Sequence, residues 1–155
     1  MVDPLNCSGC QLCMIACSLK KEGVVNPAYS RIRVVRFEGK GAYIPVICQQ
    51  CVDAPCERAC PVKAIKRNWE TGALLVDQDK CVGCRVCIMV CPFGALSWTP
   101  DGRIVKCDLC DGDPLCVKVC TREALTYAPA TGINLKKQVK AAEKLGELLR
   151  KVSGV

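Results

Sequence analysis

Residues 81–92 read Cys81-Val-Gly-Cys84-Arg-Val-Cys87-Ile-Met-Val-Cys91-Pro92, and their spacing governs everything else in the chain. Three thiols set two residues apart wrap one [4Fe-4S] cubane, while the fourth, thrown clear by three residues and stopped by proline, reaches a different cluster. Such a run requires a partner run. The chain supplies three more groups of four: Cys7, Cys10, Cys13 and Cys17; Cys48, Cys51, Cys56 and Cys60; Cys107, Cys110, Cys116 and Cys120. The second group lengthens one gap to four residues, stiffened by Pro55, and the fourth lengthens the same gap to five. The first group keeps the two-two-three spacing but is followed by Ser18 in place of proline. Because proline is expected only to turn the chain after the last ligand, this difference is read as minor.

At 155 residues the chain is one domain in size. Its hydrophobic fraction of 50% includes 16 Cys, so the ordinary apolar core is thin and needs inorganic support. A disulfide framework is the competing explanation for so many cysteines. The repeated metal-ligand spacing opposes it, as does an N-terminus, Met1-Val-Asp-Pro-Leu-Asn6, without the charged and apolar regions of a secretion signal. No run approaches the roughly 20 apolar residues of a membrane span. The expected setting is cytoplasmic, reducing and anaerobic.

The formal charge of +7 counts every Cys as neutral. Four thiolates around an oxidised cubane add about −2 per site, so four sites bring the total to about −1. The basic excess therefore balances clusters, and no nucleic-acid partner is expected.

Between the groups, turn signals separate short apolar runs. Arg31–Phe37 alternates as a strand, Gly39-Lys40-Gly41 is a turn, and Ala42–Ile47 is a returning strand interrupted by Pro45. This inserted hairpin, 28–47, is expected to cover the clusters, with facing a partner as the alternative. Two further hairpins are expected at Ala64–Asn68 with Ala73–Asp77, and at Ala95–Trp98 with Arg103–Lys106. The unit repeats after the second, third and fourth groups, as in Ala124-Leu-Thr-Tyr127. Trp69 and Trp98 are expected to pack as hairpin or cover residues. From Asn134 onward Leu135, Val139, Ala142, Leu145, Leu149 and Val152 recur at helical spacing, so 131–155 is read as an amphipathic helix that docks on the body, a partner or a second copy.

In dicluster domains each run gives three ligands to one cluster and its last to the other. Adjacent groups two and three should pair, which gives Cys48, Cys51 and Cys56 with Cys91, and Cys81, Cys84 and Cys87 with Cys60. The remaining groups give Cys7, Cys10 and Cys13 with Cys120, and Cys107, Cys110 and Cys116 with Cys17. The expected fold is α+β: two nested dicluster modules with short β-hairpins and helices, plus the C-terminal helix. Residues 1–130 form one domain, with the outer module built from 1–20 and 103–130 and the inner from 45–102.

The four groups in this order resemble the four-cluster, ferredoxin-like electron-transfer subunits of molybdenum and tungsten oxidoreductases. The resemblance spans residues 7 to 127 and includes Cys51-Val-Asp-Ala-Pro-Cys56, Lys80-Cys-Val-Gly-Cys-Arg85, Cys91-Pro-Phe-Gly-Ala95 and Lys106-Cys-Asp-Leu-Cys110. The short fourth group with Gly112-Asp113-Pro114 looks most like the small subunit of tungsten-dependent aldehyde oxidoreductases. Formate dehydrogenases, hydrogenases and carbon monoxide dehydrogenases have similar small subunits. Some relatives replace a third-group Cys and hold a three-iron cluster; Cys84 is present here, which implies four [4Fe-4S] clusters. The resemblance also implies a large catalytic subunit near the Cys7 cluster and a flavin subunit or ferredoxin as acceptor near the inner pair.

With no His in the chain and neither a nucleophile constellation nor a phosphate loop, a catalytic role is not expected. The reading is a non-catalytic electron wire. A free polyferredoxin is one alternative, and a structural zinc protein is the alternative of another class.

Overall fold

A computed structural model of the chain describes residues 1–128. The expected helix over 131–155 lies outside the described residues. Contacts divide the chain into a unit of Val2–Leu125 and a unit of Met1 with residues 126–155. In the latter, the Met1 amino group donates to the Thr126 carbonyl at 2.6 Å.

Within 2–125 the first cysteine group opens helix α1, Leu12–Glu22, which ends on Gly23 at φ 70 with its N–H on the Leu19 carbonyl. Only glycine takes that left-handed position without steric cost. The other groups carry one-turn helices: α2 Pro55–Arg58, α3 Val86–Met89 and α4 Leu115–Lys118. The eleven residues of α1 correct the expectation that Ser18 was a minor change. Proline bars a helix from running through its position and disfavours helical backbone just before it, whereas Ser18 lets α1 continue beyond the last ligand. Missing proline is not sufficient by itself, since Thr121 follows Cys120 and α4 still stops at Lys118.

Three antiparallel hairpins separate the groups. Strands β1 Ile32–Phe37 and β2 Ala42–Ile47 pair with Ile32 opposite Ile47. Pro45 does not interrupt β2; it sits opposite Val34 within the ladder, as a proline can on a strand that has an open edge. The expected turn is a short 3₁₀ segment, Glu38–Lys40, closed by Gly41. Strands β3 Ile65–Arg67 and β4 Leu74–Val76 form the second hairpin, and β5 Leu96–Trp98 and β6 Ile104–Lys106 the third.

Burial concentrates in two apolar clusters. One joins Ala54, Cys56, Ile65, Leu74, Cys87, Leu96 and Ile104 from the middle of the chain. The other joins Cys13, Met14, Cys17, Ile32, Cys116 and Leu125 from its two ends, with Val34 and Ile47 of the hairpin packed against it. Helix α1 packs on α4, and α2 on α3. Trp69 is 87% exposed, which corrects the expectation that it packs as a cover; it lies in the turn of the second hairpin, where Asn68 Oδ1 accepts from the Glu70 and Thr71 amides. Trp98 is half-exposed and carries the Arg85 guanidinium 3.2 Å from its ring centroid.

Candidate iron–sulfur centres

Each group begins by bending its backbone the same way. The residue just before the second Cys takes a positive φ in all four: Gly9 at 73°, Gln50 at 51°, Gly83 at 67° and Leu109 at 60°. That left-handed step lets two thiols two residues apart converge from one loop. The third Cys then enters a helix and is buried in every group: Cys13, Cys56, Cys87 and Cys116. The last Cys lies just beyond the helix in the second, third and fourth groups, whereas Cys17 stays within α1.

The thiols meet across groups. Cys7, Cys10, Cys13 and Cys120 line one cavity together with Val34 and Leu125. Cys60, Cys81, Cys84 and Cys87 line another, closed by Ile65 and Ile104. Burial raises the Cys56 thiol; Lys106 opposes that shift, and the neighbouring Cys48 and Cys91 add to it. Cys51 packs against the same apolar cluster. Burial likewise pushes Cys116 up to about 12, with Cys17 and Cys110 adding to it. Cys107 is pushed up to about 12 by burial, opposed by the Leu109 N–H and reinforced by Cys116. A thiol buried in this way is inert until a metal replaces its proton.

The donor set is all sulfur, and it fits iron–sulfur ligation. All sixteen cysteines are free. Backbone N–H groups are aimed at sulfur: Ala64 at Cys60 Sγ (3.3 Å), Ala95 at Cys91 Sγ (3.4 Å) and Arg31 at Cys17 Sγ (3.3 Å). Such bonds favour the anionic thiolate and tune cluster potential. Among the described residues no three Cys, Asp or Glu side chains converge closely enough for a single metal ion.

Sequence reasoning missed the polar residues around these thiols. Lys21 pairs with Asp108 at 2.6 Å, beside Cys107 and Cys110. Glu22 accepts from Arg31 at 2.8 Å and from Arg103 at 2.7 Å, tying α1 to β1 and to the third hairpin. Arg31 Nη1 is buried without a hydrogen-bond partner. Gln50 donates to the Cys107 carbonyl at 2.8 Å and accepts from the Leu74 N–H at 2.8 Å, a knot between the second and fourth groups. Lys106 joins that knot. The one available signal was that Lys80 and Lys106 both precede a first ligand, but nothing in the sequence separates exposed Lys80, paired with Asp77, from buried Lys106.

The fold and the sulfur-lined cavities define an iron–sulfur protein of dicluster type, and comparison with known proteins gives the family. The chain belongs to the 4Fe-4S dicluster domain family, whose pattern matches residues 40–121, more than half of its length; a 4Fe-4S binding domain matches residues 4–23. It is 43% identical over 103 residues to the polyferredoxin-like subunit of aliphatic sulfonate oxidoreductase of Pyrococcus furiosus, covering 66% of this chain and 58% of that one. It is 40% identical over 97 residues to a tetrathionate reductase subunit of Archaeoglobus fulgidus, covering 61% and 45%. Among solved structures, a chain of the active site complex BamBC of benzoyl coenzyme A reductase matches at 27% identity and a TM-score of 0.47, covering 96% of this chain and 94% of that chain. The chain spans about half the length of the curated relatives it matches. Sixteen cysteines and two matched 4Fe-4S regions fit multiple [4Fe-4S] clusters. The relatives' names are those of subunits of oxidoreductases. No helix among the described residues is long and apolar enough to cross a membrane.

Proposed function

We propose that the chain is a non-catalytic subunit relaying single electrons through four [4Fe-4S] clusters, between a large catalytic oxidoreductase subunit and a flavin subunit or ferredoxin. When bound, each cluster supplies one-electron uptake and release and nothing else. The protein's part is to hold four ligand sets: Cys7, Cys10, Cys13 and Cys120; Cys107, Cys110, Cys116 and Cys17; Cys48, Cys51, Cys56 and Cys91; Cys81, Cys84, Cys87 and Cys60.

The observation that carries this reading is a chain of neighbouring thiols from different sets. Cys13 and Cys116 lie in one apolar cluster, Cys56 and Cys87 lie in the other, and Gln50, between Cys48 and Cys51, donates to the Cys107 carbonyl at 2.8 Å. Linked in that order, the sets form one line, with the outer module running into the inner. Exposure supports the same order. The second Cys is exposed in the two terminal sets, Cys10 and Cys84, and only partly exposed in the two middle ones, Cys51 and Cys110. Electrons would enter and leave where partners can approach.

The partner we propose is a tungsten or molybdenum aldehyde oxidoreductase, on the resemblance carried by the Cys51–Cys56 and Gly112-Asp113-Pro114 loops, acting in the cytoplasm. Anaerobic co-purification identifies it, and a chain isolated alone would favour a free polyferredoxin.

The ligand sets are tested directly by iron, sulfide and spectroscopy. Wild type should hold about sixteen iron and sixteen sulfide per chain, against about one zinc per four Cys for the alternative. Cys17→Ala should damage the cluster of Cys107, Cys110 and Cys116 and spare that of Cys7, Cys10 and Cys13. The reverse pattern would overturn the interleaved sets.

A further inference from the structure

Lys106, the last residue of β6, is 3% exposed. Its ammonium donates to the Leu74 carbonyl, to the Cys107 carbonyl at 3.0 Å and to Gln50 Oε1 at 3.4 Å. All three acceptors are neutral. No carboxylate lies within ion-pair distance of it among the described residues. A buried ammonium is costly unless an opposite charge compensates it. Lys80, at the same place before the third group, is exposed and paired with Asp77, so the position alone does not call for burial.

The compensating charge must come from what surrounds Lys106. Gln50, its side-chain partner, lies between Cys48 and Cys51. Leu74, its carbonyl partner, belongs to the same apolar cluster as Cys56, with Cys51 and Cys91 packed against it. Lys106 also acts electrostatically on Cys56. Leu74's cluster also takes in Cys60, Cys81 and Cys87 of the neighbouring proposed set, so it is the contact to Gln50, flanked by Cys48 and Cys51, that assigns this cation to the set of Cys48, Cys51, Cys56 and Cys91.

We propose that Lys106 is a fixed positive charge dedicated to the cluster of Cys48, Cys51, Cys56 and Cys91, and that it raises that cluster's reduction potential. The inference rests on the four-cluster reading above. A ligated cubane is anionic and gains one more negative charge on reduction, so a desolvated cation beside it favours the reduced form. In the exchange one electron would leave the cluster held by a neighbouring set, which is oxidised, and enter the cluster held by this set, which is reduced. No bond breaks. Because Lys106 also donates to the Cys107 carbonyl, the raised potential lies where the inner sets meet the outer ones.

The test uses the full chain, purified anaerobically with its clusters, in a potentiometric titration followed by electron paramagnetic resonance. Cys56→Ser identifies the signal of this cluster. In Lys106→Met that signal's oxidised-to-reduced ratio at a fixed potential should rise at least tenfold, 59 mV for a one-electron couple, with smaller changes in the other three. Lys106→Arg should restore most of the shift. Loss of this one cluster in the Met variant but not the Arg variant also supports the proposal. An unmoved signal in Lys106→Met, or equal shifts or equal cluster loss in the Met and Arg variants, overturns it. If Cys56→Ser alters no single signal, or wild type holds far fewer than about sixteen iron atoms, the four-cluster reading fails and takes this inference with it.

Discussion

The first cysteine group and the other three leave their last ligand by different routes. After Cys60, Cys91 and Cys120 the chain turns within three residues: Lys63, Gly94 and Glu123 have φ of 52°, 57° and 53°. Their N–H groups bond the carbonyls of those same cysteines at 3.2, 3.2 and 3.1 Å. In two of these groups the next amide, Ala64 or Ala95, reaches the cysteine sulfur. After Cys17 there is no turn, because α1 runs on to Glu22 and its amides serve the helix. The Cys17 sulfur instead accepts from Arg31, fourteen residues along, at the entrance to β1. The N–H···S bond is kept while its source changes. The inserted hairpin is thus part of a ligand's environment as well as a cover, and its insertion and the helix extension are two sides of one local solution.

Ser18→Pro breaks this contrast most severely, since it gives the first group the ending of the third. Proline inside α1 removes an N–H and clashes with the preceding turn, which costs about 3 kcal/mol or more. It also removes the Ser18 hydroxyl, which donates to the Ile15 carbonyl at 3.0 Å and accepts from the Asn26 N–H at 3.2 Å. With Arg31 displaced, the cluster proposed for Cys17 should be lost first. Iron content, and the guanidinium concentration at which the clusters bleach, should both fall. The reciprocal change, Pro92→Ser, should move either by far less, because the turn after Cys91 is held by Gly94 and by the Ala95 amide.

Much of this was legible in the sequence because it is local. The spacing of the cysteines located the four groups, and the turn residues located three hairpins to within a residue or two of β1–β6. What was not legible depends on partners far apart in the chain. Proline's role at the end of the second and third groups was undervalued because the sequence does not show that Cys17 has an alternative donor. Trp69 was misjudged on aromatic character alone. Lys106 looks like Lys80 until the fold buries one of them.

Glu22 belongs with these unread residues, and it tests how firmly the long α1 is anchored. Its side chain is 13% exposed. Burial opposes its ionisation, yet its pKa lies below the ordinary 4.5, because Arg103 and Arg31 hydrogen-bond the carboxylate. Glu22→Gln should cost about 2 kcal/mol at pH 7, the order of a charged hydrogen bond. Most of that belongs to the shielded Arg31 arm, since Arg103 is more exposed and its ion pair is screened. A carboxylate whose pKa is lower folded than unfolded stabilises the fold above its ordinary pKa and loses that contribution as pH falls through the lowered value. The gap between wild type and Glu22→Gln should therefore be full at neutral pH and close in acid below about pH 4. A gap unchanged down to pH 3 would show that the carboxylate's charge is not what anchors the helix.

The mildest probe compares the loops that begin the groups, where glycine stands before the second Cys at Gly9 and Gly83 but not at Gln50 and Leu109. All four share the left-handed backbone, so glycine is not required for the bend, and its value must differ from place to place. At Gly83 a Cβ would meet only the Gly102 carbonyl at 3.9 Å, an ordinary contact. Gly83→Ala should therefore cost only the left-handed conformation, about 1 kcal/mol. At Gly9 a Cβ would lie 2.5 Å from the Tyr43 ring of β2, so the ring or the loop must move. Gly9→Ala should cost more than Gly83→Ala, and Gly9→Ala combined with Tyr43→Ala should bring the glycine penalty back to that of Gly83. The comparison is read from cluster-bleaching midpoints of the three variants and the Tyr43→Ala single. If Gly9 and Gly83 prove equal, Tyr43 yields freely and the hairpin does not press on the Cys7 loop; if they differ as expected, the inserted hairpin constrains the first group at both ends, through Tyr43 at its start and Arg31 at its finish.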